Sequence, residues 1–462
     1  METKDTICAL ATSPGTAAIA VIRVSGPEAF AIADKIFKPA KKDRKISTAE
    51  SHTIHFGIIA MGNEMIDEVL VSVFRSPHSY TGEDAIEISC HGSPYIQQKI
   101  LELLLKNDAR MAKPGEFTLR AFLNGKFDLS QAEAVADLIA SNSKTAHDLA
   151  IDQMRGGFSG KINNLRKELI GFASLIELEL DFSEEDLEFA DRARLFDLLG
   201  KMKAEISGLV QSFSVGNVLK SGIPVAIIGK PNVGKSTLLN TILQEEKAIV
   251  SEIPGTTRDA IEDTIIIDGI AFRFIDTAGL RNTDDRVESM GVERTHEKIR
   301  KARIVLFVFD VSTTTIDQIR EVIDEHRHLI DDPAKQVILV GNKIDQLVEI
   351  PKGFKDLVEM ETVFVSAKRK ENINLISDSL LKSVNRDLIT DNTIVSNARH
   401  YEALTRSLEA VEQVEMALRQ NIPTDLIASD IRQALYHLGT ITGEVTNEDI
   451  LDNIFRNFCI GK

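Results

Sequence analysis

The chain has 462 residues, 43% of them hydrophobic and 27% charged, with a formal net charge of −16. That length exceeds one ordinary hydrophobic core and points to about three domains, and the composition is that of a folded soluble chain rather than a disordered one. The acidic balance argues against a nonspecific nucleic-acid binder working by phosphate neutralisation, though a specific RNA substrate stays open.

No uncharged apolar run reaches the ~18 residues a membrane helix needs, and Met1 to Ala11 lacks a basic stretch followed by an apolar one, so a cytoplasmic protein with no membrane partner is expected. Cys8, Cys90 and Cys459 are far apart and show no Cys-x-x-Cys spacing, so any cysteine role is individual. From the amino terminus, β-branched runs at Ala18 to Val24, Val69 to Phe74 and Ala85 to Ser89 alternate with turns, and Tyr95 to Leu105 has helical spacing. Residues 1–122 therefore read as an α+β domain. The basic run Lys38 to Lys45 reads as a solvated loop or a phosphate contact. Ser130 to Phe213 is almost wholly helical, and its acidic stretch Glu177 to Asp191 reads as a solvated face. From Val225 to about Leu381 apolar strands alternate with amphipathic helices, the pattern of a parallel sheet covered on both faces; helix then returns from Ile394 to Gly439. The expected fold is multidomain, α/β plus α. A helical bundle built from two chain segments, 123–216 and 383–462, receives an inserted Ras-like module at 217–382.

The inserted module carries the chemistry. Strand Val225 to Ile228 runs into Gly229-Lys230-Pro231-Asn232-Val233-Gly234-Lys235-Ser236-Thr237, the phosphate-loop pattern G-x-x-x-x-G-K-[ST]. Backbone N–H groups freed by the glycines wrap phosphates, Lys235 reaches the terminal phosphates, and the Ser236 hydroxyl ligates magnesium. Strand Phe272 to Ile275 ends in Asp276-Thr277-Ala278-Gly279, where the aspartate can hold magnesium through water. Strand Val337 to Val340 ends in Gly341-Asn342-Lys343-Ile344-Asp345, and Ser366-Ala367-Lys368 follows strand Thr362 to Val365. Asp345 selects guanine, whose ring N–H and exocyclic amine both donate to a carboxylate, so the nucleotide is GTP. Between these elements Ser251-Glu252-Ile253-Pro254-Gly255-Thr256-Thr257 lies where a switch loop offers a threonine to magnesium; Thr257 is the choice, with Thr256 its neighbour. Leu280 stands where other such enzymes carry a water-orienting glutamine, so another group must position the water.

Asn232, the Gly255-Thr256-Thr257-Arg258-Asp259 switch and Asp276-Thr277-Ala278-Gly279-Leu280 together resemble the TrmE-Era branch of GTPases. In its potassium-activated members a phosphate-loop asparagine and switch-loop carbonyls hold K+; by resemblance Asn232, Ser251, Ile253 and Thr256 would do so here. The same resemblance selects Glu288, within Arg286-Val287-Glu288, as the residue that orients or activates water. Beyond the module, Tyr80-Thr81-Gly82-Glu83-Asp84, Cys90-His91-Gly92, Pro114-Gly115-Glu116-Phe117, Arg120-Ala121-Phe122, Asn124-Gly125-Lys126 and Phe458-Cys459-Ile460-Gly461-Lys462 resemble the MnmE family of tRNA-modification GTPases over essentially the whole chain.

That resemblance implies a homodimer. It also implies an FAD-containing MnmG-type partner completing a heterotetramer, a tRNA substrate modified at the fifth carbon of its wobble uridine, and a reduced folate (a tetrahydrofolate derivative) as one-carbon donor. It further implies an amino-terminal folate-binding-like and dimerisation domain in which Arg23, Glu87, Lys126 and Lys462 contact folate. A pterin ring presents a 2-amino-4-oxo edge like that of guanine, which Glu87 can read, while Arg and Lys suit the glutamate tail. Taken singly, Arg23 also reads as a surface cation and Glu87 as half of an ion pair. His91 reads as a hydrogen-bonded structural residue. Cys459 is either a nucleophile or a buried small apolar side chain. The competing reading is a ribosome-assembly GTPase without modification activity, but the Cys-Ile-Gly-Lys ending and the folate-like first domain have no use there.

Overall fold

The computed structural model describes residues 5–41, 45–62, 64–181, 192–245, 263–275, 291–332, 335–347, 360–384, 394–420, 422–456 and 458–461. The chain divides into two compact units: residues 1–140, 150–203 and 403–462 form one, and residues 141–149 and 204–402 form the other. Among the described residues no helix is long and apolar enough to cross a membrane.

The first unit opens with β1 (Thr6–Leu10), β2 (Ile19–Ser25), α1 (Ala29–Ile36), β3 (Phe37–Pro39), β4 (Thr53–Met61), β5 (Glu64–Phe74), β6 (Ala85–His91), α2 (Pro94–Leu105) and β7 (Ala109–Met111). Its seven strands run in the order β3-β4-β5-β6-β2-β1-β7, antiparallel except for β1 with β7. Period-two alternation decides which face is covered. Val69, Val71 and Val73 of β5, Ile86 and Ile88 of β6, and Ala20, Ile22 and Val24 of β2 join Ile32 and Ile36 of α1 and Ile100 and Leu104 of α2 in one buried core. The alternate residues, including Arg23 and Glu87, face the other way, and there Ile54, Phe56 and Leu70 are exposed.

The helices that follow are α3 (Glu116–Leu123), α4 (Leu129–Ala140), α5 (Lys144–Met154), α6 (Gly157–Asp181) and α7 (Arg192–Ser221). In α6 the stripe Ile162, Leu165, Leu169, Ile176 is buried at helical spacing.

The second unit contains β8 (Ile223–Ile228), α8 (Lys235–Glu245), β9 (Asp263–Ile267), β10 (Ile270–Phe274), α9 (Gly291–Lys301), β11 (Ile304–Asp310), α10 (Ile316–Ile330), β12 (Gln336–Asn342), β13 (Glu361–Phe364) and α11 (Asn374–Lys382). The sheet order is β13-β12-β11-β8-β10-β9, parallel except for β9. Every residue of β11 is buried, as a strand covered on both faces requires. Leu306 and Val308 join the cluster on one face, Val305, Phe307 and Phe309 that on the other. The turn between β9 and β10 meets the start of α5, where Thr145 N–H donates to the Gly269 carbonyl at 3.1 Å.

The chain ends with α12 (Ala398–Arg419), α13 (Thr424–Thr442) and α14 (Glu448–Phe455). In α13 the buried stripe Ile427, Ile431, Ala434, Leu438 answers that of α6, and the two helices pack together. Phe455 of α14 is buried with Leu129 and Ala132 of α4, and Phe122 and Phe458 pack against them, which carries the last residues back to the first unit's α3 and α4.

Candidate nucleotide and sheet-face sites

The phosphate loop follows β8 at the carboxyl end of the parallel strands, where open α/β sheets bind ligands. Its glycines answer steric demands. Gly229 has φ +147°, and any Cβ there would overlap the Val308 carbonyl; Gly234 has φ +95°, and a Cβ would overlap the Asn342 amide. Lys235 Nζ lies inside the loop, donating to the Gly229 and Lys230 carbonyls at 2.8 and 2.7 Å. Burial, helped by the charge of Lys298, pushes its pKa down, so an anionic phosphate brought into the loop would supply the opposite charge this ammonium lacks. Ser236 sits half-buried in the first turn of α8, at the amino end where a magnesium ligand is wanted.

The base-reading loop is fastened to the phosphate loop at two consecutive carbonyls. Asn342, buried at the end of β12, donates from Nδ2 to the Val233 carbonyl at 2.8 Å. Lys343 donates from Nζ to the Asn232 carbonyl at 2.7 Å. Asn342 also accepts on Oδ1 from the Ala367 N–H at 3.0 Å, and Thr241 of α8 donates to the Ala367 carbonyl at 3.0 Å. Asp345 accepts from the buried Ser366 hydroxyl at 2.7 Å, which holds its carboxyl below the usual carboxylate range and so ionised for guanine. Lys368 is exposed beside it. These contacts bring Asn232, Val233, Gly234, Lys235, Ser236, Asn342, Lys343, Asp345, Ser366 and Ala367 into one site, with Thr237 exposed on α8. Ser251 to Thr257, Asp276 to Gly279 and Glu288 lie outside the described residues.

One residue of this site escaped the sequence reading. Asp310 ends β11 and pairs with Lys343 at 2.7 Å. Burial alone would raise its pKa, but the bonds from Lys343 and Ser312 outweigh burial and hold it below the usual range. Its only sequence signal was its place as the sole acid of an apolar strand, at the end that faces ligands.

On the sheet face opposite α1 and α2, Arg23 and Glu87 are direct cross-strand neighbours, and Phe117 of α3 packs over that face against Ile7 and Ala9 of β1. Arg23 donates from Nε and Nη2 to Glu87 Oε1 at 3.0 and 2.8 Å. The guanidinium stacks 5.0 Å from the Tyr80 ring centre and 5.6 Å from that of Phe117. A planar carboxylate, a planar cation and two rings suit a flat heterocycle with an amide-like edge and an acidic tail. Lys126 borders this site: its Nζ donates to the Pro77 carbonyl at 3.0 Å, and its stem lies against Gly82. Lys462 lies outside the described residues, but Gly461 is packed so closely on Leu10 and Ala11 that a side chain there would overlap the Leu10 carbonyl. The Cys459 carbonyl accepts from the Gly115 N–H at 3.4 Å, and its side chain is exposed, so the buried alternative does not hold. Cys8 and Cys90 are buried, and burial pushes both thiols up to about 11. His91 donates its backbone N–H to Asp67 at 2.8 Å and pairs with it through Nδ1 at 2.7 Å, the hydrogen-bonded role read for it.

Beside this face Arg120, fully buried, bonds Asp5 at 2.7 Å, Glu116 at 3.1 Å and Glu83 at 3.2 Å. Arg110 reinforces the cluster, bonding Glu116 and Asp5 at 2.6 Å each.

A family model described as the MnmE helical domain matches residues 129–459, and one described as the GTP-binding protein TrmE N-terminus matches residues 6–126. The chain is 54% identical over 460 residues to a tRNA modification GTPase MnmE of Flavobacterium psychrophilum, with 99% of each chain covered. It is 54% identical over 467 residues to one of Bacteroides fragilis, covering 99% of this chain and 100% of that one. A third, from Cytophaga hutchinsonii, is 52% identical over 460 residues, covering 99% and 98%. Among solved structures, the G domain of the T. maritima FeoB iron transporter aligns with 35% of this chain and 98% of that one, at 22% identity and a TM-score of 0.26.

Proposed function

The chain belongs to the MnmE family of tRNA modification GTPases, and from that premise we propose a potassium-stimulated GTP hydrolysis cycle that drives wobble-uridine modification. Working with an FAD-containing MnmG-type partner, the enzyme adds an aminomethyl or carboxymethylaminomethyl group to the fifth carbon of that base in tRNA. The observation that carries the reading is the double fastening of Asn342 and Lys343 onto the Val233 and Asn232 carbonyls, because it sets a guanine-reading carboxylate, Asp345, at a fixed reach from the phosphate loop.

In this mechanism the loop's backbone N–H groups and Lys235 would hold the phosphates, while Ser236 and Thr257, with Asp276, would hold magnesium. Asn232, with Ser251, Ile253 and Thr256, would hold potassium, which would supply positive charge to offset that gathering on the bridging oxygen. Glu288 orients the attacking water.

The amino-terminal domain, 1–122, binds the reduced folate through Arg23 and Glu87, with Lys126 and Lys462 added from segments 123–216 and 383–462. The observed Arg23–Glu87 pair under two aromatic rings supports this. The same domain forms the homodimer, and the exposed apolar side chains Ile54, Phe56 and Leu70, on the β4–β5 part of the sheet face opposite α1 and α2, give it a surface to bury. The GTPase module takes 217–382, between helical segments 123–216 and 383–462. Cys459 acts in the carbon-transfer chemistry rather than in hydrolysis, and its exposure fits that role.

The test has two arms. Purified protein should hydrolyse GTP markedly faster in potassium than in sodium, and a deletion strain should lose the modified wobble nucleoside by mass spectrometry and regain it with this gene. Equal rates in the two salts would remove the potassium site; unchanged nucleosides would favour an assembly GTPase.

A further inference from the structure

Asp310 belongs to none of the motifs that mark the nucleotide site, yet every oxygen of its buried carboxylate is committed. Oδ1 accepts from the Ser312 backbone N–H and hydroxyl at 2.9 and 2.6 Å. Oδ2 accepts from Lys343 Nζ at 2.7 Å, and the same ammonium donates to the Asn232 carbonyl at 2.7 Å. Both ends of that bridge are backbone positions that L-residues rarely adopt, Asn232 at φ +61° and Lys343 at φ +69°. Such conformations cost about 1–2 kcal/mol each and persist only where the surroundings hold them. A lysine side chain is long and strongly hydrated, so its placement on one carbonyl calls for a partner that selects a single rotamer. The turn after β11, fastened by Ser312, sets the carboxylate before lysine meets it.

We propose that Asp310 is a positioning residue for nucleotide binding: it holds the Lys343 ammonium on the Asn232 carbonyl and so fixes the left-handed turn of the phosphate loop. Asp310 acts through Lys343 and touches no substrate atom. Losing its charge frees Lys343 for solvent, loosens the turn at Asn232, and lets nucleotide leave sooner, while the groups that act on the bridging oxygen keep their identity.

The experiment is a double-mutant cycle on the full chain, with Asp310→Asn, Lys343→Met and the two combined, reading release of N-methylanthraniloyl-GDP by stopped-flow chase with unlabelled GDP. Each single change should speed release about tenfold, and the combination should be no faster than the faster single, because both side chains serve one contact. KM for GTP should rise by a larger factor than kcat falls. Wild-type release in Asp310→Asn, or single effects that multiply in the combination, overturns the proposal. If the amide variant does not fold, Asp310→Glu, which keeps the charge one methylene further out, enters the same cycle and must show the same non-additivity. The inference rests on a guanine nucleotide being the ligand here; wild-type protein that fails to bind the labelled GDP would strike that reading, whereas the cycle strikes only Asp310.

Discussion

The Asn342 side-chain amide lies against the Val233 carbonyl, 2.8 Å from nitrogen to oxygen, and so makes the end of β12 a support for the middle of the phosphate loop. Its oxygen takes the Ala367 N–H. Asn342→Ala leaves a buried acceptor and a buried donor unpaired, at about 1–3 kcal/mol each, much of it felt at the loop. GDP and GTP affinity should fall about 10–100-fold, read by titration with fluorescent nucleotide. Unchanged affinity would mean that the phosphate loop keeps its shape unaided.

Asp345→Asn should exchange guanine for xanthine, because the amide donates to the extra oxygen of xanthine that a carboxylate repels. GTP affinity should fall by at least about 10²-fold while xanthosine triphosphate gains. The Ser366 hydroxyl depresses the Asp345 pKa, so in the wild type base recognition should survive acidification to below the ordinary aspartate value. A loss of GDP binding midway between pH 5 and 7 would place the reader elsewhere.

Arg120→Met removes a fully buried cation bonded to Asp5, Glu83 and Glu116, of which Glu83 and Glu116 are themselves largely buried and Asp5 is close to half exposed. It should lower the first unit's unfolding free energy by about 3–5 kcal/mol, with nucleotide binding untouched. The chain has no tryptophan, so circular dichroism in urea is the measurement. Bonds from Arg110 lead in depressing Asp5; in Glu116 burial opposes the shift, but Arg110, the Lys113 N–H and Arg120 outweigh it. Their stabilisation is therefore complete above the unfolded carboxylate values, about pH 4–5, and is lost as pH falls through the lower folded ones. The variant should show a shallower acid limb. An equally steep limb would mean Arg110 carries the effect alone.

Cys459→Ser separates the two activities. The residue is held by its backbone to Gly115 while its side chain stands in solvent, so serine fits without rearrangement. A serine hydroxyl does not ionise near neutral pH, so the replacement abolishes any thiolate. GTP hydrolysis and its salt response should stay near wild type, and the modified wobble nucleoside should vanish from a strain carrying only this variant. Normal nucleoside levels would make the thiol dispensable; loss of hydrolysis as well would assign the tail a structural role.

The parts of the site that are legible in sequence are those where one residue type alone satisfies a local demand. Gly229 and Gly234 must lack a side chain, and Lys235, Asn342 and Asp345 must each offer one particular head group, so spacing along the chain records them. Partnerships made across elements leave no such record. Asp310 is one acid among many until β11 and β12 set it against Lys343, and the ion pair that is one of the readings of Glu87 is present, made with Arg23 once β2 and β6 bring them into register. In the fold, the runs Val69 to Phe74 and Ala85 to Ser89 are strands, β5 and β6, because β-branched residues alternate there. β4, with Thr53, His55 and Gly57 among apolar neighbours that are themselves partly exposed, gave no clean period. The helical reading of Ser130 to Phe213 lacked breaks at Ser141 and Arg155, where short polar turns separate α4, α5 and α6.

The bond between Thr145 and Gly269 joins groups 124 residues apart, so the second unit is discontinuous in the chain. At about 5–20 residues per second, synthesis delivers Thr145 roughly 6–25 s before the turn that receives it. Throughout that interval the start of α5 lacks this partner, while its far end is already within reach of α4 through Gln131 and Gln153. Closing so long a loop costs little more than closing one half its length, so the waiting is a matter of timing rather than of free energy. On the ribosome the segment made early therefore waits for the β9–β10 hairpin, and the unit that both belong to is complete only after β11, β12 and β13 have followed.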